Sequence, residues 1–419
     1  MSTNINKKWA ELSAEVTKRG GDGEDFVAAT KELYSLYSED MYLWLARLYC
    51  PTVGGFYYSN SARDNDWFQP DIESTLQAVN ILKHEKIIDS LADLPEKMQE
   101  QMKRFLLDRF DEEDGYFYHP HWGKNIIDSR RGRDLMWARS LCRQLDVKLP
   151  APTADERLKA MAEGKGEDAV KELPDYLKSE EAFLKYLKSY DWEKSAYASG
   201  NNLVAQANQV VAAGLAPVAI DFLNSIQNKE TGFWGSEEGY FAINGYLKIT
   251  SFYVEAKAQI NHAYNAAMST MDLLTSKNDC LTATFQYNTW FALGNLQHLF
   301  RTIGGKENDE LAETIAKGLI SRAPEAIRAT AKKALDFRKT DGSFSYCKKE
   351  SSYVSQAAHV AVKGTNEGDV NATILLSSET IDKIFRALEL SDFVIPLFGK
   401  DHRDRFFAEI SKHKCKFCK

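Results

Sequence analysis

The stretch FDEEDGYFYHPHWG, residues Phe110 to Gly123, decides how this chain is read. Met102, Phe105, Leu106 and Phe110 precede it with the spacing of a half-buried helix. Asp111-Glu112-Glu113-Asp114 then caps a turn at Gly115, and Tyr116 and Phe117 follow. Glycine takes the left-handed backbone that ends a helix without a Cβ penalty. The aromatic can plug the helix junction while a polar loop carries the chain into the next helix. The same order of events recurs at Gly54-Gly55-Phe56, Gly232-Phe233-Trp234 and Gly342-Ser343-Phe344. The first interval is roughly 60 residues and the next two are each about twice 55, as expected if intervening units lost the signature.

Outward from these turns the chain reads as helix. In DIESTLQAVNIL, Ile72, Leu76, Val79 and Leu82 form one apolar stripe, and similar stripes run from Ile260 to Leu274 and from Val354 to Ala361. Period-two alternation is rare; YFYHPHW is its clearest instance, so no extended sheet is expected. The fold class expected is all-α, an arrangement of repeated helical hairpins around a central pocket, with residues 1–419 as a single domain. The charged stretch at about 151–181, poor in large apolar residues, is expected to be an insertion or lid.

The order acidic residue, glycine, small residue or aromatic, polar loop and Ala-rich helix resembles the α/α-toroid superfamily. That superfamily includes terpenoid cyclases, protein prenyltransferase β-subunits and (α/α) barrel carbohydrate-active enzymes. Asp114-Gly115-Tyr116-Phe117 and Asp341-Gly342-Ser343-Phe344 carry the likeness, with Gly54-Gly55-Phe56 and Gly232-Phe233-Trp234 as weaker copies. The resemblance covers about two thirds of the chain and implies a fold, not a reaction.

The 419 residues carry a net charge of −7 and are 44 % hydrophobic and 27 % charged, the composition of a globular protein with a large core. The acidic balance argues against nucleic acid as a partner. No apolar run approaches the roughly 18–20 residues of a membrane span. The N-terminal MSTNINKKWAELSAEV reads as a helix start rather than a signal peptide, so a cytoplasmic protein is expected. Cys50, Cys142, Cys280 and Cys347 are scattered singly and read as free thiols. Cys415 and Cys418 beside His413 could form half of a zinc site or a redox pair, but no second pair completes it, so no metal and no cofactor are expected.

Three polar groups fall on the expected rim. In SARDNDWFQPDIEST, Pro70, Asp71 and Glu73 are helix-start residues, but Arg63, Asp64 and Asp66 beside Trp67 exceed what a cap needs. Paired carboxylates near a ring are the equipment of a glycosidase. In YHPHWGKNIIDSRRGRDLMWA, His119 and His121 flank Pro120 and precede Trp122, and Lys124, Arg130, Arg131 and Arg133 follow. Guanidinium groups beside imidazoles suit a carboxylate or sulfate on a substrate. The third group, Trp234, Asn244, Tyr246, Asn261, His262 and Asn265, offers the Asn, His and Tyr that a uronate eliminase uses. There the amide neutralises the carboxylate while His or Tyr moves the α-proton.

The chain carries no P-loop, GxGxxG, HExxH or GxSxG. It also lacks the DxDD acid motif of terpenoid cyclases and the Asp, Cys and His zinc ligands of prenyltransferases, which weakens an isoprenoid reading. The expectation is a carbohydrate-active hydrolase or lyase acting on an acidic oligosaccharide. Asp64, Asp66, Glu73, His119, His121, Tyr246 and His262 are its acid/base residues. Arg63, Trp67, Trp122, Arg130, Arg131, Arg133, Trp234, Asn244, Asn261 and Asn265 are its substrate contacts. A terpenoid or prenyl enzyme and a non-catalytic binding protein are the alternatives.

Overall fold

The computed structural model describes residues 2–157 and 175–413. Most of the charged insertion expected at 151–181, and the Cys415–Cys418 pair, lie outside the described residues. Among them the chain is mostly helical, 62 % helix with a few short strands, as the periodicity predicts. No described helix is long and apolar enough to cross a membrane.

The chain divides into two compact units. The first comprises Met1–Ser35, Val170–Ala334 and Thr380–Ile395; the second comprises Leu36–Ala169, Leu335–Glu379 and Pro396–Lys419. In the first unit, the helices Ala196–Val204, Gly239–Ala256, Ala283–Ile303 and Thr380–Ala387 each pack on the next, forming a row. Trp290 is buried behind that row, and its indole donates to the Thr330 hydroxyl on the long helix Lys306–Leu335. In the second unit, the helix Ile72–His84 packs between Val370–Ile374 and Asp128–Leu145, and Glu96–Leu107 backs the latter. Arg403–Lys412 covers Glu39–Arg47 in the same unit.

All four glycine–aromatic elements form the same turn. Gly54, Gly115, Gly232 and Gly342 have φ of 91°, 77°, 74° and 83°. Each aromatic folds back in an antiparallel pairing: Tyr49 with Phe56 within a two-residue ladder, and Phe110 with Phe117, Gln227 with Trp234 and Arg338 with Phe344 as single bridges. Phe56, Phe117, Trp234 and Phe344 are all buried. Besides the positive φ, close approach demands glycine. A Cβ on Gly115 would meet the Ala154 amide at 2.6 Å, and one on Gly232 would meet the Ala266 amide at 2.6 Å.

The second unit also repeats a latch from turn to helix. The Phe56 amide donates to Thr75 Oγ1 and the Phe344 amide to Thr373 Oγ1, both at 3.0 Å. Both threonines sit four residues after a buried aspartate that caps the helix, Asp71 and Asp369. These caps satisfy amides that have no intrahelical partner.

Two expectations are corrected. Val354 to Ala361 is a two-stranded hairpin, Val354–Ser355 with Ala358–His359, not a helix. Apolar residues at 354, 358 and 361 satisfy a helical stripe, but eight residues are too few for propensity to hold a helix alone. Cys50 is disulfide-bonded rather than a free thiol, whereas Cys142, Cys280 and Cys347 are free.

Candidate functional site

The second unit gathers its polar residues where three helices begin. Asp71 caps Ile72–His84, accepting the Ser74 amide at 3.0 Å, and Glu73 occupies that helix's first turn. Arg130 and Asp134 lie one turn apart at the start of Asp128–Leu145. The Arg130 guanidinium is fully buried and binds all three carboxylates. Its Nη1 donates to Glu73 Oε2 at 2.7 Å, its Nη2 to Asp71 Oδ1 at 3.2 Å, and its Nε to both Asp134 oxygens at 3.1 Å. Nη1 also reaches the Ser355 carbonyl at 3.2 Å, and Ser355 Oγ donates to Glu73 Oε2 at 2.6 Å.

Three carboxylates meet the Arg130 guanidinium in a place water does not reach, and the buried Arg109 charge also acts on Asp71 and Asp134. Burial pushes Asp134 up to about 7 against the pull of Arg130, and burial likewise raises Glu73. Asp134 therefore titrates near neutral pH, and Glu73 is shifted in the same direction. Asp369 is similar: burial lifts it to about 7, although the amides of Ala372, Tyr346 and Ser352 and the Tyr58 hydroxyl favour its charge. Burial, followed by the Asp369 and Glu73 charges, drives the Tyr58 hydroxyl well up.

Above this cluster stands a chain of rings. The Trp122 ring lies 5.3 Å from the Arg130 guanidinium and stacks on His119 at 3.7 Å. His119 is buried, and burial, with the Arg109 charge next, holds it well below the usual imidazole value, so it is neutral. Its Nδ1 accepts the His121 amide at 3.2 Å, which leaves Nε2 to carry the hydrogen toward the Gln69 carbonyl at 3.4 Å. His121, half-buried, meets Trp67 edge-on at 5.0 Å.

Trp67 is 51 % exposed and forms one wall of a cleft of about 400 Å³. Asn65, Phe68, Ala361 and Val362 continue the wall, and Tyr353, His359 and Lys363 come from the hairpin and the chain after it. Tyr353 and His359 rings lie 5.8 Å apart, and Lys363 Nζ stands 5.1 Å over the Tyr353 ring. The lining contains no carboxylate among the described residues. A larger hollow of about 920 Å³, lined by Arg139, Arg143, Lys148 and Arg157, offers no ring to stack on, and it abuts the end of the described chain at Arg157.

The structure sorts the sequence-predicted residues. Trp67, His121, His119, Trp122, Arg130 and Glu73 are brought together, but Glu73 and Arg130 lie beneath the cleft with each other as partners. Asp64 is exposed and paired with Arg63 at 2.7 Å, and Asp66 is exposed beside it. The basic cluster does not form an open anion site. Arg131 stacks on Tyr116 and bonds Asp128, Arg133 stands over Trp137, and Lys124 bonds Asp111 and Asp114.

The third group belongs to the first unit, where it builds the Gly232 turn and its supports. Trp234 is buried, its indole donating to the Leu223 carbonyl, and Tyr246 is buried against it. The Asn261 carbonyl accepts Gln227 Nε2, and His262 caps the helix Ala263–Thr275 in a left-handed conformation. Asn265 donates to the Lys229 carbonyl, and Asn244 accepts from Asn288 on the neighbouring helix. Sequence reasoning missed Tyr353, Ser355, His359 and Lys363; the alternation within YVSQAAHV was the available signal, and it was masked by a helical stripe.

No group of three or more metal-binding side chains occurs among the described residues. The chain matches no protein-family model, no curated protein and no solved structure.

Proposed function

We propose that the cleft beside Trp67 binds a short acidic oligosaccharide and that the reaction there is β-elimination at a uronate rather than hydrolysis. The observation that carries this reading is the cleft's lining: exposed indole, phenol, imidazole, amide and ammonium, with no carboxylate among the described residues. A glycosidase needs an acid and a second carboxylate facing one sugar. Here Asp71, Glu73 and Asp134 are committed to Arg130 in the interior. Elimination needs other groups. Lys363 and Asn65 neutralise the sugar carboxylate, which makes the proton on the adjacent carbon acidic. His359 and Tyr353 are the groups that accept that proton and protonate the departing glycosidic oxygen. The C–H and C–O bonds break, a carbon–carbon double bond forms, and no water is consumed. Trp67 supplies the apolar face on which a sugar ring stacks.

The rows of helices in each unit and the four like turns support placing the chain among the α/α toroids, an analogy of fold that does not itself assign the reaction. The test is calorimetric titration with oligogalacturonates and with uncharged oligosaccharides of equal length. The wild type binds the charged series in preference, and Trp67→Ala, which alters an exposed ring, weakens it about tenfold. Equal binding by the Trp67→Ala variant, or indifference to the sugar's charge, contradicts the assignment.

A further inference from the structure

We propose that Ser355 is a positioning residue: the buried Glu73–Arg130 pair grips it by both its hydroxyl and its carbonyl, and so sets the hairpin that carries Tyr353 and His359 into the cleft. The role given to those two side chains rests on the elimination reading; the grip itself does not.

The hairpin is poorly equipped to hold its own shape. Its two-residue tip is Gln356 and Ala357, with φ of 49° and 64°. That left-handed pair is the backbone of the tight turn in which asparagine and glycine are normally found, because a side chain there is crowded. Only two residues on each strand pair, Val354 with His359 and Ser355 with Ala358. Beyond them the Val360 amide donates to the Tyr353 carbonyl at 3.0 Å. An isolated ribbon of this size is not stable in water. Backbone strain of this kind persists where surrounding contacts over-determine it.

Ser355 supplies that contact. Its Oγ donates to Glu73 Oε2 at 2.6 Å and its carbonyl accepts Arg130 Nη1 at 3.2 Å, while the same Arg130 Nη1 and Glu73 Oε2 meet at 2.7 Å. The three groups close a triangle with both ionic corners buried. Tyr353 precedes this anchor by two residues and His359 follows it by four, so a shift at Ser355 moves both rings in the cleft. The arrangement also gives the buried ionic cluster a task beyond stability.

The experiment measures amide exchange at Val360, together with oligogalacturonate binding, in the full chain carrying Ser355→Ala or Ser355→Thr. Threonine keeps the hydroxyl and alanine removes it. The proposal expects Ser355→Ala to speed Val360 exchange about tenfold while amides in Glu96–Leu107 keep their wild-type rates, and Ser355→Thr to restore Val360 protection. It expects binding to weaken with alanine and to return with threonine. Val360 exchange in Ser355→Ala indistinguishable from wild type overturns it, as does loss of protection throughout the second unit in both variants. A wild type that binds no oligogalacturonate while the exchange contrast holds counts against the elimination reading and leaves the anchor supported.

Discussion

Replacing Arg130 with alanine is expected to cost the second unit about 3–5 kcal/mol, the penalty for stranding buried charge whose partner has been removed. Asp71, Glu73 and Asp134 would then face one another without the guanidinium that binds all three. Since whole domains are stable by about 5–15 kcal/mol, such a loss removes a large part of the margin. Lysine is not expected to rescue the site, because one ammonium cannot reproduce a planar fork bonded to three carboxylates. Urea unfolding of wild type and Arg130→Ala at neutral and mildly acid pH checks this. The deficit should shrink in acid, where the stranded carboxylates take up protons. A deficit below about 1 kcal/mol, the size of an exposed ion pair, would mean that the cluster is not buried as described.

The second large effect is on pH dependence. Asp134 and Asp369 sit at about 7 and Glu85 at about 8, in each case chiefly through burial. Unfolded carboxyl groups titrate near 4. Between these limits the native chain binds more protons than the unfolded chain, so stability falls as pH rises. The contribution of these groups is fully present below about pH 4 and is lost on passing through 7 to 8, on the order of 4 kcal/mol for a shift like that of Asp134. Other groups oppose this. His119, kept neutral by burial, adds stability as pH rises through about 6.5. Glu409, raised by burial but held at about 2 by His413, Lys412 and Arg47, adds stability that is lost only in acid. The three raised carboxyls together outweigh the one imidazole between about pH 5 and 8. Thermal unfolding should therefore show a higher midpoint near pH 5 than near pH 8. Asp134→Asn, which keeps the shape and removes one titration, should flatten that fall. A midpoint that climbs steadily from pH 5 to 8 would contradict the buried-proton description.

How much of this was legible in the sequence follows from the range of the forces involved. The glycine turns were readable because a left-handed backbone and a following ring are local requirements, satisfied within a few residues. Asp71 as a helix cap was readable for the same reason. Arg130 and Asp134 share a helix face four residues apart, so their pairing was visible in principle, but nothing local says that the pair is buried. The partner that gives Glu73 its meaning, Ser355, is 282 residues away in the chain. No periodicity reports such a contact. The hairpin was read as a helix because its apolar positions fit either element, and the choice was made by an anchor that lies elsewhere in the sequence.

The residues around His262 serve the Gly232 turn. Asn261, His262 and Asn265 have the chemistry of an eliminase, yet the Gly232 turn uses their backbone and side-chain groups to seat itself on the next helix. The elimination proposed for the second unit's cleft rests on Tyr353, His359 and Lys363, residues from a different stretch.

The central claim, elimination in a cleft without carboxylates, is tested most directly by the mass of the products from an oligouronate incubated with the protein. The account predicts fragments whose masses add up to that of the substrate, one of them carrying a new double bond conjugated to its carboxylate. Fragments that together gain one water would show hydrolysis and contradict it.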